Sequence, residues 1–264
     1  MSRNLHNKTL LITGASSGIG LETAYDAARK GANLILSARR VDKLAEAKLI
    51  CEKLGAGEVT AFPVDVSDPD SIDILVGYLN KEEIAIDVLI NNAGFGHSEP
   101  FIDLDFQVVN DLFQVNVIGL MYLTQQIAIK MLNQETKGQI INIASLAGKV
   151  STPKYTTYGA TKGAVISFSN ALRMELKPFG IHVTTVNFGP VNTPFFDNID
   201  RSRKESAENN PFTLSASHAG EIVAKAIGTT KREVNRPILL AIGAKLYDFI
   251  PEIGDCFVVK YLDD

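Results

Sequence analysis

Short runs of Val, Ile and Leu alternate along this chain with longer stretches of helical period, and that alternation leaves few folds open. A run such as Thr9-Leu10-Leu11-Ile12-Thr13 carries apolar side chains at successive positions, so both of its faces need covering. Strands of that kind separated by helices build a parallel sheet with helices on either side. Strands are expected at residues 9–13, 33–38, 59–66, 88–91, 139–144, 182–187 and 237–243. Helices are expected at about 18–29, 42–54, from Pro69 onward, 106–132, 157–176 and 219–227. The reading is therefore an α/β fold: a doubly wound, seven-stranded, mostly parallel sheet with helices on both faces. No internal repeat and no Gly/Ser or Pro linker divides the 264 residues, so residues 1–264 are read as a single domain. Residues 194–215, polar and bounded by prolines, read as a substrate lid over the sheet edge.

The first strand runs into Thr13-Gly14-Ala15-Ser16-Ser17-Gly18-Ile19-Gly20 and then a helix. Glycines there permit tight turns and let a pyrophosphate approach the amides of a helix N-terminus, where the macrodipole favours negative charge. The spacing is Gly-x-x-x-Gly-x-Gly, and no Lys-Ser/Thr follows, so a Walker loop is excluded. Gly14, Ser16, Ser17, Gly18, Ile19 and Gly20 are the candidate cofactor contacts; the bland alternative is a glycine-rich connection. Roughly 20 residues on, where an acidic residue would bind a ribose 2'-hydroxyl, the chain reads Ser37-Ala38-Arg39-Arg40. A guanidinium fork suits a 2'-phosphate, which a carboxylate would repel, so Arg39 and Arg40 point to NADP(H).

Tyr158 and Lys162 stand four apart in a helical stretch and so share one face. A nearby ammonium favours phenolate, and bringing a phenol from about 10 to about 7 takes roughly 4 kcal/mol. A Tyr-x-x-x-Lys pair alone says little. Ser145 changes its meaning: it ends the fifth strand, and in a doubly wound sheet the carboxyl ends of the strands form the binding crevice. A serine hydroxyl there can hold a substrate oxygen while the phenol transfers its proton.

With these residues in order, the chain resembles the short-chain dehydrogenase/reductase family, from about Lys8 to Gly243. Carrying the resemblance are Thr13-Gly-x-x-x-Gly18-x-Gly20, Asp65, Asn91-Asn92-Ala93-Gly94, Asn116, Ser145, Tyr158 and Lys162. It implies a Rossmann-type fold and hydride transfer between NADP(H) and a carbonyl or secondary alcohol. Tyr158 would be acid or base, Ser145 would position the oxygen, and Lys162 would lower the phenol pKa and bind ribose. It also implies that Asp65 and Val66 meet the adenine, that Asn92, Ala93 and Gly94 line the ribose side, and that Asn116 supports a water chain to Lys162. After the sixth strand the family pattern Asn-Pro-Gly-x-x-x-Thr becomes Asn187-Phe188-Gly189-Pro190-Val191-Asn192-Thr193, which keeps Gly189 and Thr193 at the nicotinamide in register but sets an aromatic ring in place of proline. A competing reading is a catalytically silent NADP(H) sensor, for which four intact catalytic positions have no evident use.

Gly148, Val150, Tyr155, Phe95, Phe188, Phe195 and Phe196 are candidates for an apolar substrate wall. Lys149 and Lys154 could draw an acidic substrate, and His97 lies near the crevice, though for each a plain surface role is the simpler reading. Cys51 and Cys256 have no partners at disulfide or metal spacing and read as inert thiols; no metal is expected. The formal charge of -4 argues against a nucleic-acid track. The polar opening and the short 238–244 apolar run suggest no membrane span and a cytoplasmic protein. The family resemblance implies a homodimer or homotetramer.

Overall fold

The computed structural model of the chain describes residues 4–194 and 211–262. In chain order the elements are β1 (Thr9–Thr13), α1 (Gly18–Ala28), β2 (Asn33–Ala38), α2 (Val41–Leu54), β3 (Val59–Pro63), α3 (Pro69–Lys81) and β4 (Val88–Asn91). Then come α4 (Phe106–Phe113), a π-helical turn (Gln114–Gly119), α5 (Leu120–Asn133), β5 (Gln139–Ser145), α6 (Thr156–Leu176) and β6 (His182–Phe188). The chain continues with β7 (Val191–Asn192), β8 (Leu214–Ser215), α7 (Ala216–Ala226), β9 (Glu233–Arg236), α8 (Ile238–Phe249) and α9 (Pro251–Leu262).

The main sheet has seven strands in the order β3-β2-β1-β4-β5-β6-β9, and every pairing in it is parallel. The Rossmann-type fold expected from the alternation is therefore present. Its two-residue period sorts the core: Leu10 and Ile12 of β1 join a cluster with Ala24, Ala27, Leu44, Ala219 and Val223, under α1, α2 and α7. Leu11, between them, faces the opposite way into Ile72, Leu75, Leu123, Ile127 and Leu176, under α3, α5 and α6. Asp68 caps α3 by accepting from the Asp70 amide, with Pro69 in the first turn as its fixed φ allows.

Two expectations need correction. The seventh strand is not at 237–243 but four residues earlier, at Glu233–Arg236, and Ile238–Phe249 is helical. A short apolar run does not separate a strand from a helix, and an edge strand that is half-exposed along its length needs no apolar run. Proline also suits the start of a helix better than the interior of a strand. The third strand stops at Pro63, three residues short of the expectation. The 194–215 lid falls largely on residues 195–210, which lie outside those described. At its far side Leu214 pairs with Val191 in a two-strand ribbon.

The helical run Phe106–Asn133 has the length and composition to cross a bilayer, yet half of its most apolar window is buried within the fold. It packs on the sheet through Leu123, Ile127 and Met131, each with no exposed surface. A buried polar chain locks α5 and α6 to the strands beneath them. Asn91 Nδ2 donates to Thr124 Oγ1 and to Asn142 Oδ1, and Asn142 Nδ2 donates to Ser169 Oγ, each contact 2.8–2.9 Å long. Buried polar groups stripped of partners cost about 1–3 kcal/mol each. Asn142→Ala takes one of its contacts from each of Asn91 and Ser169, which keep Thr124 and the Val165 carbonyl, and is expected to lower unfolding stability by about 1–3 kcal/mol in denaturant titration; a loss below about 0.5 kcal/mol would show that the chain does not hold the helices.

Candidate active site

At their carboxyl ends β1 and β4 diverge, and the Thr13 side chain bridges the gap. Its Oγ1 accepts from the backbone N–H groups of Asn92 and Ala93, both at 3.0 Å. Asn92 Nδ2 returns the contact to the Thr13 carbonyl at 3.0 Å. Gly14 and Gly18 take φ of 65° and 55°, the left-handed region that a side chain strains. A Cβ on Gly14 would stand 2.7 Å from Asn92 Nδ2 and 3.0 Å from the Ala93 Cα, so the loop closes only with glycine. Ser17 precedes α1 without capping it through its side chain, which leaves the first amides of that helix directed at the cleft.

Arg40 reaches over this loop: Nη2 donates to Ser17 Oγ at 2.8 Å and to Ser16 Oγ at 3.1 Å. Arg39 is largely exposed and 3.9 Å from Asp65 Oδ2. Asp65 Oδ1 in turn accepts from the Ser67 amide and hydroxyl. Ser37 Oγ, which the sequence reading passed over, is buried at the cleft wall with no hydrogen-bond partner. Oriented amides, two guanidinium groups, serine hydroxyls and an unsatisfied buried hydroxyl make a donor set suited to a phosphorylated dinucleotide.

The cleft is one continuous cavity of about 2150 Å³. Of the expected cofactor residues, Gly14, Ser16, Ser17, Gly18, Ile19, Arg39, Arg40, Asp65, Val66, Asn92, Ala93, Gly94, Gly189 and Thr193 line it, as do Ser145, Tyr158 and Lys162. Gly20 does not: it sits behind the loop, where a Cβ would be 2.5 Å from the Gly14 carbonyl oxygen. Asn116 also stands behind the wall, in the π-helical turn, and its amide is engaged: Oδ1 accepts from the Phe95 amide, and Nδ2 donates to the Phe95 carbonyl and to Thr161 Oγ1.

Ser145 terminates β5 with its hydroxyl donating to the Phe188 carbonyl at 3.2 Å and accepting from the Ala147 amide at 3.1 Å. Tyr158 and Lys162 come from the first turns of α6, as their spacing requires. The phenol is half-buried, edge-on to Tyr155 with ring centroids 6.3 Å apart, and hydrogen-bonded to Ser145. Lys162 is buried, donates to the Ile143 carbonyl at 3.2 Å and lies 5.7 Å from the Tyr158 ring centroid.

Burial pushes the Tyr158 phenol up to about 12, against the opposing effect of Ser145, and brings the Lys162 ammonium down to about 8. Partial loss of water around the two groups penalises phenolate and ammonium alike, and Lys162 spends a hydrogen bond on a backbone carbonyl. Both effects favour the neutral, proton-donating phenol.

Among the wall candidates, Phe95, Val150, Tyr155 and Phe188 line the cavity. Gly148 instead packs on the backbone of Lys162 and Gly163, and Phe195 and Phe196 lie outside the described residues. Lys149 forms a 2.5 Å ion pair with Glu233. Burial alone would raise that carboxyl, but Lys149 keeps it below the usual range. His97 faces Glu99 at 3.0 Å, away from the cleft. The sequence reading missed a whole wall: Leu239 and Leu246 of α8, Ile250 at the joint between the helices and Ile253 of α9 also line the cavity. Its signal is the apolar run after Pro237, which from sequence alone reads as a strand. Cys51 is buried, which pushes its thiol up to about 12, whereas Cys256 is exposed.

The short chain dehydrogenase family model matches residues 8–204. The NADP-dependent 3-hydroxy acid dehydrogenase of Schizosaccharomyces pombe is 37% identical over 238 residues, covering 88% of this chain and 90% of that protein. A short-chain dehydrogenase from Sphingobium yanoikuyae solved in complex with NADPH superposes with a TM-score of 0.80 at 28% identity, over 93% of this chain and 94% of that one. A short chain dehydrogenase/reductase from Burkholderia phymatum solved in complex with NAD gives 0.84 at 25% identity, over 95% of this chain and 96% of that one.

Proposed function

The chain belongs to the short-chain dehydrogenase family, and from that premise we propose that this oxidoreductase is an NADP(H)-dependent reductase of carbonyl compounds, or the dehydrogenase of the matching secondary alcohols. The observation that carries the reading is the convergence of Ser145, Tyr158 and Lys162 on one end of a cavity whose other end holds the glycine loop and two arginines.

The amides of residues 16–19 would meet the pyrophosphate, and Arg39 and Arg40 the 2'-phosphate. Asp65 and Val66 would lie at the adenine, Asn92, Ala93 and Gly94 at the ribose side, and Gly189 and Thr193 at the nicotinamide amide. Bound there, the nicotinamide supplies or takes up a hydride. Ser145 holds the substrate oxygen by a hydrogen bond. Tyr158, protonated at neutral pH, gives its proton to that oxygen as negative charge develops on it. Lys162, as ammonium, binds the nicotinamide ribose and stabilises the phenolate left behind. Asn116 acts at one remove, fixing Phe95 and the Thr161 side chain next to Lys162. The S. pombe relative's NADP dependence and the Sphingobium complex support NADP(H), and Arg40 above Ser16 and Ser17 supports it independently.

Tyr158→Phe is expected to lower turnover of aldehydes and ketones at least about a thousandfold while leaving NADPH binding nearly intact; turnover retained within about tenfold would remove Tyr158 as the proton donor. The pH dependence follows from Lys162. Its working form is the ammonium, present below its pKa, so kcat/KM for NADPH should be level through neutral pH and fall as pH rises through about 8. Lys162→Met should lower the plateau and erase that limb. In the third test, NADPH binds the parent protein more tightly than NADH, and Arg39→Ala with Arg40→Ala weakens NADPH by roughly tenfold or more with little change for NADH. A parent that prefers NADH overturns the cofactor assignment.

A further inference from the structure

We propose that the substrate carries a long, uncharged apolar chain, seated in a trough walled by α8 and α9 that leads its carbonyl or carbinol carbon to Ser145 and Tyr158. This inference rests on the carbonyl-reductase reading above, and the reaction is the same: the carbonyl gains the hydride and the Tyr158 proton, and NADPH becomes NADP⁺.

The cavity extends well beyond its catalytic end, and its volume of about 2150 Å³ exceeds the roughly 300–1,000 Å³ of ordinary ligand pockets. The dinucleotide of the proposed function would fill the part between the glycine loop and Ser145. The remainder is walled by the two C-terminal helices, and none of the residues those helices contribute is charged. Leu239, Leu246, Ile250 and Ile253 line it, yet they are 68%, 60%, 52% and 65% exposed. Large side chains left this open on a cavity wall mark a surface that a ligand covers. On α8 the lining positions Leu239, Gly243 and Leu246 recur at helical spacing, so they form one stripe along the trough, and Ile250 follows just past the helix end.

Three contacts fix that stripe relative to the chemistry. Leu240 abuts Gly189, where a Cβ would stand 2.9 Å from its Cδ1, so α8 starts against the end of β6. The ring of Tyr247 packs on Gly254, and its hydroxyl donates to Asp255 Oδ1 at 2.5 Å, pinning α9 to α8. Gly243 lines the cavity with no atom of the described residues within 4 Å of where its Cβ would be, which leaves open space in the wall.

The test is a series of methyl ketones from 2-butanone to 2-tridecanone, followed by turnover with NADPH and by calorimetric binding to the NADP⁺ complex. Burial of each methylene should tighten binding and raise kcat/KM by roughly twofold to fourfold until the trough is filled. Gly243→Leu fits a helix better than glycine and so keeps the fold; it should reduce the gain for the longest ketone at least tenfold relative to the shortest. Phe249→Ser, changed outside the cavity wall, should leave the gain with chain length as it was. Turnover with no dependence on length, in rate and in binding, overturns the trough and keeps the reductase reading. Binding that tightens with length but without turnover supports the trough and overturns the reductase reading. If Leu246→Asp with Ile253→Asp dissociates an oligomer on ultracentrifugation and leaves the length dependence untouched, a second copy covers this face and the proposal falls.

Discussion

The site depends on one separation in the sheet. β1 and β4 are neighbours in register, Leu10 with Val88 and Ile12 with Ile90, but the chains that leave them turn apart. Something has to satisfy the backbone groups exposed where they part, and the hydroxyl of Thr13 takes the Asn92 and Ala93 amides while the Asn92 carboxamide takes the Thr13 carbonyl. This small bridge sets the width of the cleft. With it in place, the glycine loop lies against Ala93 on one side, and the amides opening α1 have no side-chain cap from Ser17 and no partner among the described residues. Those unpaired donors explain how a chain of net charge -4 can offer a site for a polyanion: the field is local and comes from oriented backbone, two guanidinium groups and a helix end.

The catalytic end follows a different logic. Tyr158 and Lys162 are brought together by a helix that the sheet covers, and the same burial that orders them raises one pKa and lowers the other. A protonated phenol beside a buried ammonium is arranged for giving a proton. Lysine is suited to the task because its pKa responds to burial, whereas an arginine in its place would remain charged throughout the working pH range.

Much of this was legible in the sequence where the chemistry is local. The glycine loop, Ser145 at a strand end and the four-residue spacing of Tyr158 and Lys162 each follow from short-range geometry, and the structure brings them to one edge. Gly20 and Asn116 were legible only as positions. Whether a residue faces the cleft or stands behind its wall depends on packing that no spacing encodes. The C-terminal wall was misread for a clearer reason: Ile238 to Gly243 is apolar and short, and the true edge strand, Glu233–Arg236, is polar because it is half-exposed. The phenol's pKa could not be read at all, since it is set by burial and by where the Lys162 ammonium finds its acceptor.

Asn116 shows how the two ends of the cleft are mechanically joined. A regular helix from Phe106 to Asn133 would carry its backbone hydrogen bonds without interruption, and the wider turn at Gln114–Gly119 is a departure of the kind that accumulates at functional sites. Asn116 sits in that turn, and its carboxamide grips both backbone groups of Phe95, directly after Asn92-Ala93-Gly94, together with Thr161, directly before Lys162. A Cβ on Gly94 would stand 2.8 Å from Asn116 Oδ1 and 3.6 Å from Lys162 Nζ, so the loop and the lysine meet across this one amide. Displacing Asn116 would therefore move the loop after β4 and the N-terminal turns of α6 together. The residue's place behind the wall is what allows a single side chain to hold the two halves of the site in register.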